Sequence, residues 1–274
     1  RRLISAAPFR DRVVHHALCR IIEPAFERSF IDHSYANRAG KGTHRALDQC
    51  QRWARRYPYV LQCDLRQFFP SIDHAILRRT LHRHIQDGGT RRLIDRILAS
   101  GVGVLSEEYE MVYFPGDDLF AVNRGRGLPI GNLTSQFWAN CYLNPFDHFV
   151  QRELRAAYLR YVDDFLLFAR SKQQLWAWKD AIRGYLSELR LSLHEERSTV
   201  YPVANGIPFL GFQVFPDRRR LLKGNVRAFL RRFSRQRRDI RRGDLTFDLI
   251  KPSLVAWNAH ADHGDTWRLR MKLF

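Results

Sequence analysis

Two adjacent aspartates, Asp163 and Asp164, interrupt an otherwise apolar stretch of the chain, Leu159–Phe168. Like charges that lie side by side repel each other, and removing them from water makes the pair still less favourable. Such a pair is stable where a strong cation, usually a divalent metal ion, lies beside it. An exposed Asp-Asp turn is the alternative interpretation. The apolar residues on both sides favour the metal site.

A third carboxylate, Asp64, follows the short apolar run Tyr59–Cys63. An acid at the end of a buried strand, facing a hairpin with two more acids, would supply the oxygen ligands that hard divalent cations prefer. Two such ions can activate an attacking hydroxyl and stabilise a leaving pyrophosphate. A lone aspartate at a strand end is weak evidence, so the weight of Asp64 depends on the motifs around it.

Strands and helices in alternation are expected to position these acids. Residues 59–65 predict a buried strand, 159–170 two strands with a tight turn at 162–164, and 209–215 a further strand. A helix is expected to open at Pro70-Ser71 with Ser71 as its cap, and 101–126 to be irregular or a hairpin. Apolar spacing predicts helices over 8–28 (ended by Pro24), 43–56, 91–99, 132–150 and 173–190. The main body is therefore predicted to be mixed α/β.

The chain is strongly basic, with 46 Lys and Arg against 28 Asp and Glu and a net charge of +18. Arginine forks bind phosphate oxygens in pairs, so a polyanionic partner such as nucleic acid is expected. An arginine-rich proteome is the alternative. Residues 225–242 place apolar side chains at helical spacing and eight arginines elsewhere, which predicts a basic amphipathic helix and the start of a small separate domain.

Composition also excludes several classes of protein. With 45% apolar and 13% aromatic residues, the chain is not disordered. The four cysteines form no CxxC pair, which argues against a zinc site or a disulfide framework and favours small core residues in a reducing compartment. No apolar run reaches membrane-spanning length and no signal peptide is visible, so a cytoplasmic location without a membrane partner is expected. The sequence opens on Arg1-Arg2 rather than Met, so further N-terminal residues are expected.

Five motifs in order resemble those of bacterial reverse transcriptases of the retron and group II intron kind. They span nearly the whole chain: 34–46 resembles the fingers motif, 64–74 the first palm motif, 161–164 the Tyr-x-Asp-Asp box, 191–200 the next palm motif, and 208–212 the Phe-Leu-Gly strand. A lone Tyr-Val-Asp-Asp arises often by chance, whereas five motifs in order are a strong signal.

The resemblance implies an α/β (α+β) right-hand polymerase with fingers, a palm and a small helical basic thumb. The expected divisions are 1–58 for the N-terminal fingers, 59–74 for the palm strand with the catalytic Asp, 75–127 for a fingers/palm insertion, 128–221 for the palm and 222–274 for the thumb. It further implies that the thumb grips the template–primer duplex through Arg227, Arg231, Arg235 and Arg238.

The resemblance also implies the catalytic residues and their cofactor. Asp64, Asp163 and Asp164, with the Leu65 carbonyl, would hold two Mg²⁺ ions, with Mn²⁺ as an alternative. Phe69 would lie against the sugar and exclude a 2′-hydroxyl, although core packing is an equally good reason for a phenylalanine there. The expected substrates are deoxynucleoside triphosphates, and the expected macromolecular partners are a template RNA and its RNA–DNA or cDNA product.

Three charged residues and a glycine complete the nucleotide site that the resemblance implies. Arg38 and Lys41 would clamp the triphosphate, although charged loop residues are more often simply solvated. Gly131 would let the backbone approach the base, where a side chain would intrude. Arg197 would help to protonate the leaving pyrophosphate, with a plain surface role as the alternative.

One motif departs from the usual pattern. Most relatives carry Gln-Gly-x-x-x-Ser-Pro, where this chain has Ile130-Gly131 and then Ser135-Gln136. By this resemblance Ile130 and Gln136 are also expected to lie in the nucleotide site. That pattern is similar to the reverse transcriptases of diversity-generating retroelements, which copy a template RNA with errors at adenines and work with a small helical accessory protein, in some cases oligomeric. Losing one hydrogen bond at Ile130 would weaken checking of the base pair by about 1 kcal/mol, roughly a fivefold loss of fidelity. Ordinary drift in a loop is the alternative.

Two other functions remain open. A retron, abortive-infection or intron-maturase reverse transcriptase should restore Gln and Pro at positions 130 and 136, and a maturase needs further C-terminal domains. A non-catalytic RNA-binding scaffold on the same fold is the third hypothesis. The three intact acids favour an enzyme, expected in the cytoplasm of a bacterium or encoded by a phage.

Overall fold

The computed structural model describes residues 4–273 and contains two antiparallel sheets surrounded by helices. The strands are β1 Tyr59–Cys63, β2 Ala157–Tyr161, β3 Asp164–Ala169, β4 Thr199–Pro202, β5 Ile207–Phe209, β6 Phe212–Val214 and β7 Arg219–Leu221. The larger sheet has the order β2-β3-β1-β4 and the smaller sheet the order β5-β6-β7. The predicted mixed fold is confirmed.

The helices follow the predicted order along the chain. They are α1 Phe9–Glu27, α2 Thr43–Arg56, α3 Phe68–Ser71, α4 His74–His84, α5 Gly88–Ser100, α6 Leu133–Arg152, α7 Lys172–Glu188, α8 Lys223–Arg242, α9 Phe247–Ala261 and α10 Trp267–Leu273. Residues 101–126 contain two short 3₁₀ turns and no strand, so the irregular alternative holds for this segment and the hairpin does not.

The strand β3, inside the larger sheet, is buried on both faces, which explains why its residues after Asp164 are apolar throughout instead of alternating. Leu61 and Cys63 of β1 pack into a core with α1 and α4–α7. Val60, which points to the opposite face, packs with α2 and the smaller sheet. The sheet is therefore clamped between two cores and forms a rigid platform for the residues at its edge.

Two predicted helix boundaries are wrong. Pro24 does not end α1, which continues to Glu27 because Phe26, only 1% exposed, anchors the last turn in the core. Ser71 does not cap a long helix, because its hydroxyl donates to the Gln67 carbonyl inside the separate helix α3. Asp73 caps α4 instead, and its carboxylate accepts from two backbone amides of the first turn at 2.9 and 3.0 Å.

The strand predicted over 209–215 is a hairpin. Leu210 and Gly211 separate β5 from β6 and have φ values of 47° and 90°. Positive φ at both central residues is the geometry of a tight two-residue hairpin turn. Apolar residues on both sides of this turn hid it in the sequence.

All four cysteines are buried and free, so the prediction that they are core residues is confirmed. Among residues 4–273, no helix combines the length and the apolar character needed to cross a bilayer.

The C-terminal helices have a small core of their own. Phe229 of α8 stacks on Trp257 of α9 with ring centroids 3.8 Å apart, and Ile250 and Leu254 pack beside them. The opposite side of α8 is exposed and rich in arginine. The predicted amphipathic helix is therefore confirmed, two residues longer at its start.

Three histidines meet where α9 packs against α2. The ring of His44 stacks on that of His263 at 3.4 Å between centroids and lies 6.0 Å from His260. Burial lowers the pKa of His44 below its usual value, and the two other histidines lower it further. Burial and His263 lower the pKa of His260 in the same way. The folded chain therefore favours the uncharged rings at this contact.

We expect acid to weaken this contact. A lowered pKa means that stability is present above the ordinary histidine pKa of 6.5 and is lost as the pH falls through the lowered value. Nearby Asp48 opposes the shift of His44, while Arg219 adds to it. The melting temperature should therefore fall between pH 7.5 and 5.5, and less steeply for His44→Gln than for the parent. If the melting temperatures of the two proteins fall equally with pH, His44 does not cause the loss of stability in acid.

Candidate active site

The two adjacent aspartates lie on a tight hairpin turn. Tyr161 of β2 pairs with Asp164 of β3, so that only Val162 and Asp163 form the loop. Val162 has a φ of 58°, a left-handed conformation that is rare for a β-branched residue. Such strain costs about 1–3 kcal/mol and persists where surrounding contacts impose it, commonly at functional sites. The turn presents Asp163 at its tip.

Asp64 lies beside this hairpin because of the strand register. In the pairing of β1 with β3, Cys63 is opposite Phe165, and continuing the register by one residue places Asp64 beside Asp164. The backbone after β1 is fixed on its other side by two hydrogen bonds. His194 N donates to the Asp64 carbonyl at 2.8 Å and Arg66 N donates to the Ser192 carbonyl at 2.9 Å. The three acids therefore converge at one edge of the sheet.

A cavity of about 380 Å³ opens at this edge. Six of the eleven residues predicted for the catalytic and nucleotide site line it: Asp64, Leu65, Phe69, Ile130, Asp163 and Arg197. Six further residues line it that were not predicted as site residues: Arg66, Gln67, Phe68, Pro70, Glu108 and His194. A larger cavity of about 590 Å³ between α1, α5 and the start of α6 contains none of the predicted residues.

Arg197 contacts Asp64 directly. The Nη1 atom of Arg197 donates to the Asp64 carboxylate at 3.0 Å. The side chain of Arg197 is 67% exposed and that of Asp64 is 20% exposed. Exposed ion pairs contribute about 0–1 kcal/mol, so a divalent cation can displace this arginine. Asp64 is thus accompanied by a positive charge even without a metal ion.

The donor groups at this edge fit a hard divalent cation. Carboxylate oxygens of Asp64, Asp163 and Asp164 and the carbonyl of Leu65 are the ligand type that Mg²⁺ prefers. Within residues 4–273, no three His, Cys, Asp or Glu side chains are arranged closely enough to hold an ion in this conformation. A cation bound by Asp64 would compete with Arg197 for its carboxylate.

Arg38 and Lys41 are engaged elsewhere. Arg38 is ion-paired with Glu27 at 2.9 Å and donates to the carbonyls of Ile31 and Ser34 at 2.6 and 2.9 Å. Lys41 is ion-paired with Asp32 and does not line the cavity. The side chains of Arg38 and Lys41 stabilise the conformation of the loop after α1. They would have to leave these partners to contact a triphosphate, so their clamp role stays a prediction.

Gly131 and Gln136 lie outside the cavity lining. Gly131 has a φ of 120°, and a Cβ atom there would lie 2.9 Å from the Ile4 side chain. The close approach at this glycine is therefore made by the N-terminal segment of the chain, which was not foreseen. Gln136 is exposed on the first turns of α6. Asn132, the N-cap of α6, uses its side-chain oxygen to accept from Ala7 N at 2.8 Å instead of capping the helix.

One wall of the cavity is fixed by Gln67. Its side-chain amide donates to the Glu108 carbonyl at 2.7 Å, and its oxygen accepts from Glu110 N at 3.0 Å. Gln67 itself has a left-handed φ of 46°. The only sequence signal for this contact would have been its position inside the 64–74 motif, because nothing in the irregular segment 101–126 marks Glu108 as its partner.

The predicted thumb arginines share one exposed side of α8. Arg227, Arg231, Arg235 and Arg238 are all exposed and recur at intervals of three and four residues. Phe229 lies on the other side of the helix, facing α9. This side of α8 is available to a polyanion, and which polyanion it contacts stays a prediction.

The chain belongs to the reverse transcriptase (RNA-dependent DNA polymerase) family, whose family model matches residues 1–214. It is 25% identical to protein YkfC of Escherichia coli K12, over 80% of this chain and 64% of that protein. It is 21% identical to the group II intron-encoded protein LtrA of Lactococcus lactis subsp. cremoris, over 78% of this chain and 44% of that protein. The chain thus spans less than two thirds of the length of either relative.

The fold is also found among solved structures. Apo telomerase from Candida tropicalis, truncated from its C-terminal domain, superposes with a TM-score of 0.53 at 13% sequence identity. The match covers 77% of this chain and 45% of that chain. This likeness supports the right-hand polymerase fold that the five motifs predicted.

Proposed function

We propose that this chain is an RNA-directed DNA polymerase that copies a template RNA by two-metal nucleotidyl transfer. The observation that carries the proposal is the convergence of Asp64, Asp163 and Asp164 at one sheet edge, beside a cavity, in a member of the reverse transcriptase family. Primer extension on an RNA template with Mg²⁺ tests it, and the decisive variants are described in the Discussion.

The acids and the Leu65 carbonyl would hold two Mg²⁺ ions, or Mn²⁺ in their place. When bound, the ions activate the attacking 3′-hydroxyl and stabilise the leaving pyrophosphate. Arg197, which lines the cavity and contacts Asp64, would be released from that carboxylate and be available to the leaving pyrophosphate. Its guanidinium would neutralise charge there and donate hydrogen bonds to the leaving group.

The walls of the cavity select the nucleotide. Phe69 is half-buried, lines the cavity and packs against Phe68 with ring centroids 5.3 Å apart, so the ring is held in place. A fixed ring beside the sugar leaves no room for a 2′-hydroxyl and favours deoxynucleotides. The exposed arginines of α8 bind the backbone of the template–primer duplex, which makes 222–274 the thumb and the larger sheet the palm.

The subclass of the enzyme is open between two proposals. An intron-type reverse transcriptase is supported by the likeness to LtrA. A diversity-generating retroelement enzyme, error-prone at adenines and assisted by a small helical accessory protein, is supported by Ile130. This residue lines the cavity and presents no hydrogen-bonding group in its side chain. Gln136, which lies outside the cavity lining, supports the second proposal by sequence pattern alone.

Restoring a polar side chain at Ile130 is expected to raise fidelity more than it changes rate. Ile130→Gln adds a hydrogen-bonding group to the cavity without touching the acids, so extension should be retained. Misincorporation opposite adenine should fall by roughly fivefold, the value of one net hydrogen bond. Sequencing of cDNA from the parent, Ile130→Gln and Ile130→Gln with Gln136→Pro measures it.

The second substitution is kept separate because proline at position 136 removes the amide that bonds to the Asn132 carbonyl at 3.4 Å. Ile130→Leu is the matched apolar control. If Ile130→Gln and the parent have the same error rate opposite adenine, Ile130 does not cause the infidelity. The intron-type proposal would then remain.

A further inference from the structure

A buried ion pair lies directly beneath the hairpin turn. Arg160 is 1% exposed and Asp147 of α6 is fully buried. The Nε and Nη2 atoms of Arg160 donate to the two oxygens of Asp147 at 2.7 and 2.5 Å, a bidentate fork. The Tyr158 hydroxyl donates to the same carboxylate at 2.7 Å. Asp147 therefore fixes the plane in which the guanidinium lies.

The remaining donors of Arg160 point away from the ion pair. Its Nη1 atom donates to the Val162 carbonyl at 3.0 Å and to the Asn140 side chain at 3.1 Å. Its Nη2 atom also donates to the Ser34 hydroxyl at 3.2 Å. The carbonyl of Val162 belongs to the strained residue directly before Asp163. One guanidinium thus joins the turn to α6 and to the loop after α1.

The backbone of Arg160 ties it to that same loop. Its amide donates to the His33 carbonyl at 3.0 Å, and its carbonyl accepts from Tyr35 N at 3.0 Å. Asn140, which accepts from Arg160, also donates to the Ala36 carbonyl at 2.8 Å. The loop, α6 and the turn therefore cannot move independently while these bonds hold.

Stability alone does not account for this arrangement. Replacing a buried ion pair by apolar residues of similar volume is often neutral or stabilising. Apolar residues could fill the space but could not hold the Val162 carbonyl. We infer that Arg160, oriented by Asp147, is a positioning residue that holds the turn in the conformation presenting Asp163 and Asp164 for metal binding. The inference rests on the proposed function of these acids.

Arg160→Lys tests the inference. An ammonium retains the charge opposite Asp147 but lacks the planar fork that reaches Asp147 and Val162 together. We expect kcat for primer extension to fall about tenfold or more, the effect of one lost charge-assisted hydrogen bond. KM for the template–primer should stay unchanged, because the α8 arginines are untouched. The Mn²⁺ dissociation constant, measured by electron paramagnetic resonance without nucleotide, should rise roughly threefold or more.

A second substitution separates positioning from general damage. Asparagine tolerates the left-handed conformation that valine resists, so Val162→Asn relieves the strain that Arg160 opposes. The loss caused by Arg160→Lys should therefore be smaller, in kcat and in Mn²⁺ affinity, in the Val162→Asn background than in the parent. Equal losses in both backgrounds would overturn the inference, because they would show that Arg160 does not act through this turn.

A matched control and an apolar replacement complete the design. Arg183→Lys makes the same chemical change on the surface of α7, where Arg183 pairs with Asp180 and Glu195, and should leave both readouts unchanged. Arg160→Met with Asp147→Leu and Tyr158→Phe removes the buried charges together and should fold, yet show the same losses. If this triple variant folds and matches the parent, or if neither it nor Arg160→Lys folds, Arg160 is only structural and the inference fails.

The two proposals fail in different ways. A parent chain that does not extend a primer contradicts the proposed polymerase, while its Mn²⁺ titration still tests Arg160. A parent that extends normally, beside an Arg160→Lys variant with unchanged kcat and Mn²⁺ affinity, contradicts the role of Arg160 alone.

Discussion

Replacing both Asp163 and Asp164 by asparagine is expected to abolish primer extension. Neutral amides cannot hold two divalent cations, and metal stabilisation of the reacting charges contributes several kcal/mol. A loss of about three orders of magnitude or more should follow. Extension of a DNA primer on an RNA template with Mg²⁺, followed by gel electrophoresis, measures it.

RNA binding should survive in the same variant, because no phosphate-binding arginine changes. Fluorescence anisotropy with labelled RNA at fixed salt provides this measurement. The matched control is Glu153→Gln with Glu188→Gln, which converts two exposed carboxylates far from the cavity lining into amides. Extension that persists in the aspartate variant at the level of this control would show that the two-metal proposal is wrong.

Replacing Arg231, Arg235 and Arg238 by glutamine is expected to flatten the salt dependence of duplex binding. Each phosphate contact contributes about 0.9 to the slope of log affinity against log salt, so three lost contacts should reduce the slope by roughly 2 to 3. The three side chains are exposed on one side of α8, and the apolar contacts to α9 lie on the other side. Folding should therefore be unaffected.

The control for this variant must remove the same charge elsewhere. Arg78, Arg79 and Arg83 are exposed on α4, and their replacement by glutamine lowers the net charge by the same amount. Titration of an RNA–DNA duplex between 50 and 200 mM salt compares the two triple variants. If the α8 variant keeps the parental slope, the duplex contacts another surface.

Two of the three acids of the candidate site could be located in the sequence because the pattern around them is local. Asp163 and Asp164 stand between two strands whose apolar character is visible in a few residues. Asp64 is brought to them by the pairing of β1 with β3, a contact between distant segments that the sequence indicated only through the order of the motifs. Short apolar runs also explain why the sequence predicted β1, β2 and β3 close to their positions in the structure.

The surroundings of the acids could not be predicted, because they depend on contacts between distant segments. Gly131 is approached by Ile4, and Gln67 is fixed by Glu108, which no periodicity indicates. The polar loop around Arg38 suggested a side chain that could bind a triphosphate, whereas in the fold this side chain is ion-paired with Glu27. Ser71 and Asp73 are both good caps, and only the position of α4 decides between them.

A charged cluster anchors the irregular segment 101–126, whose own sequence gives it little structure. Arg124 and Arg190 each contact both Asp73 and Asp117, at distances of 2.6 to 3.4 Å. Both carboxylates are almost completely buried. Removing one member would leave two like charges to share a single opposite charge, which makes these four residues more sensitive to substitution than the exposed loop around them.

The pairing of β1 with β3 fixes the distance between the acids at the end of the sheet. The separation between Asp64 and the hairpin acids is set by the backbone spacing of two paired strands, about 5 Å across the ladder, and not by flexible side chains alone. Inserting one residue into β3 would turn its core-facing side chains to the opposite face and shift the hairpin along its partner by about 3.3 Å. Length changes in β1 or β3 would therefore separate the acids, whereas a change confined to an exposed loop would leave this register unaltered.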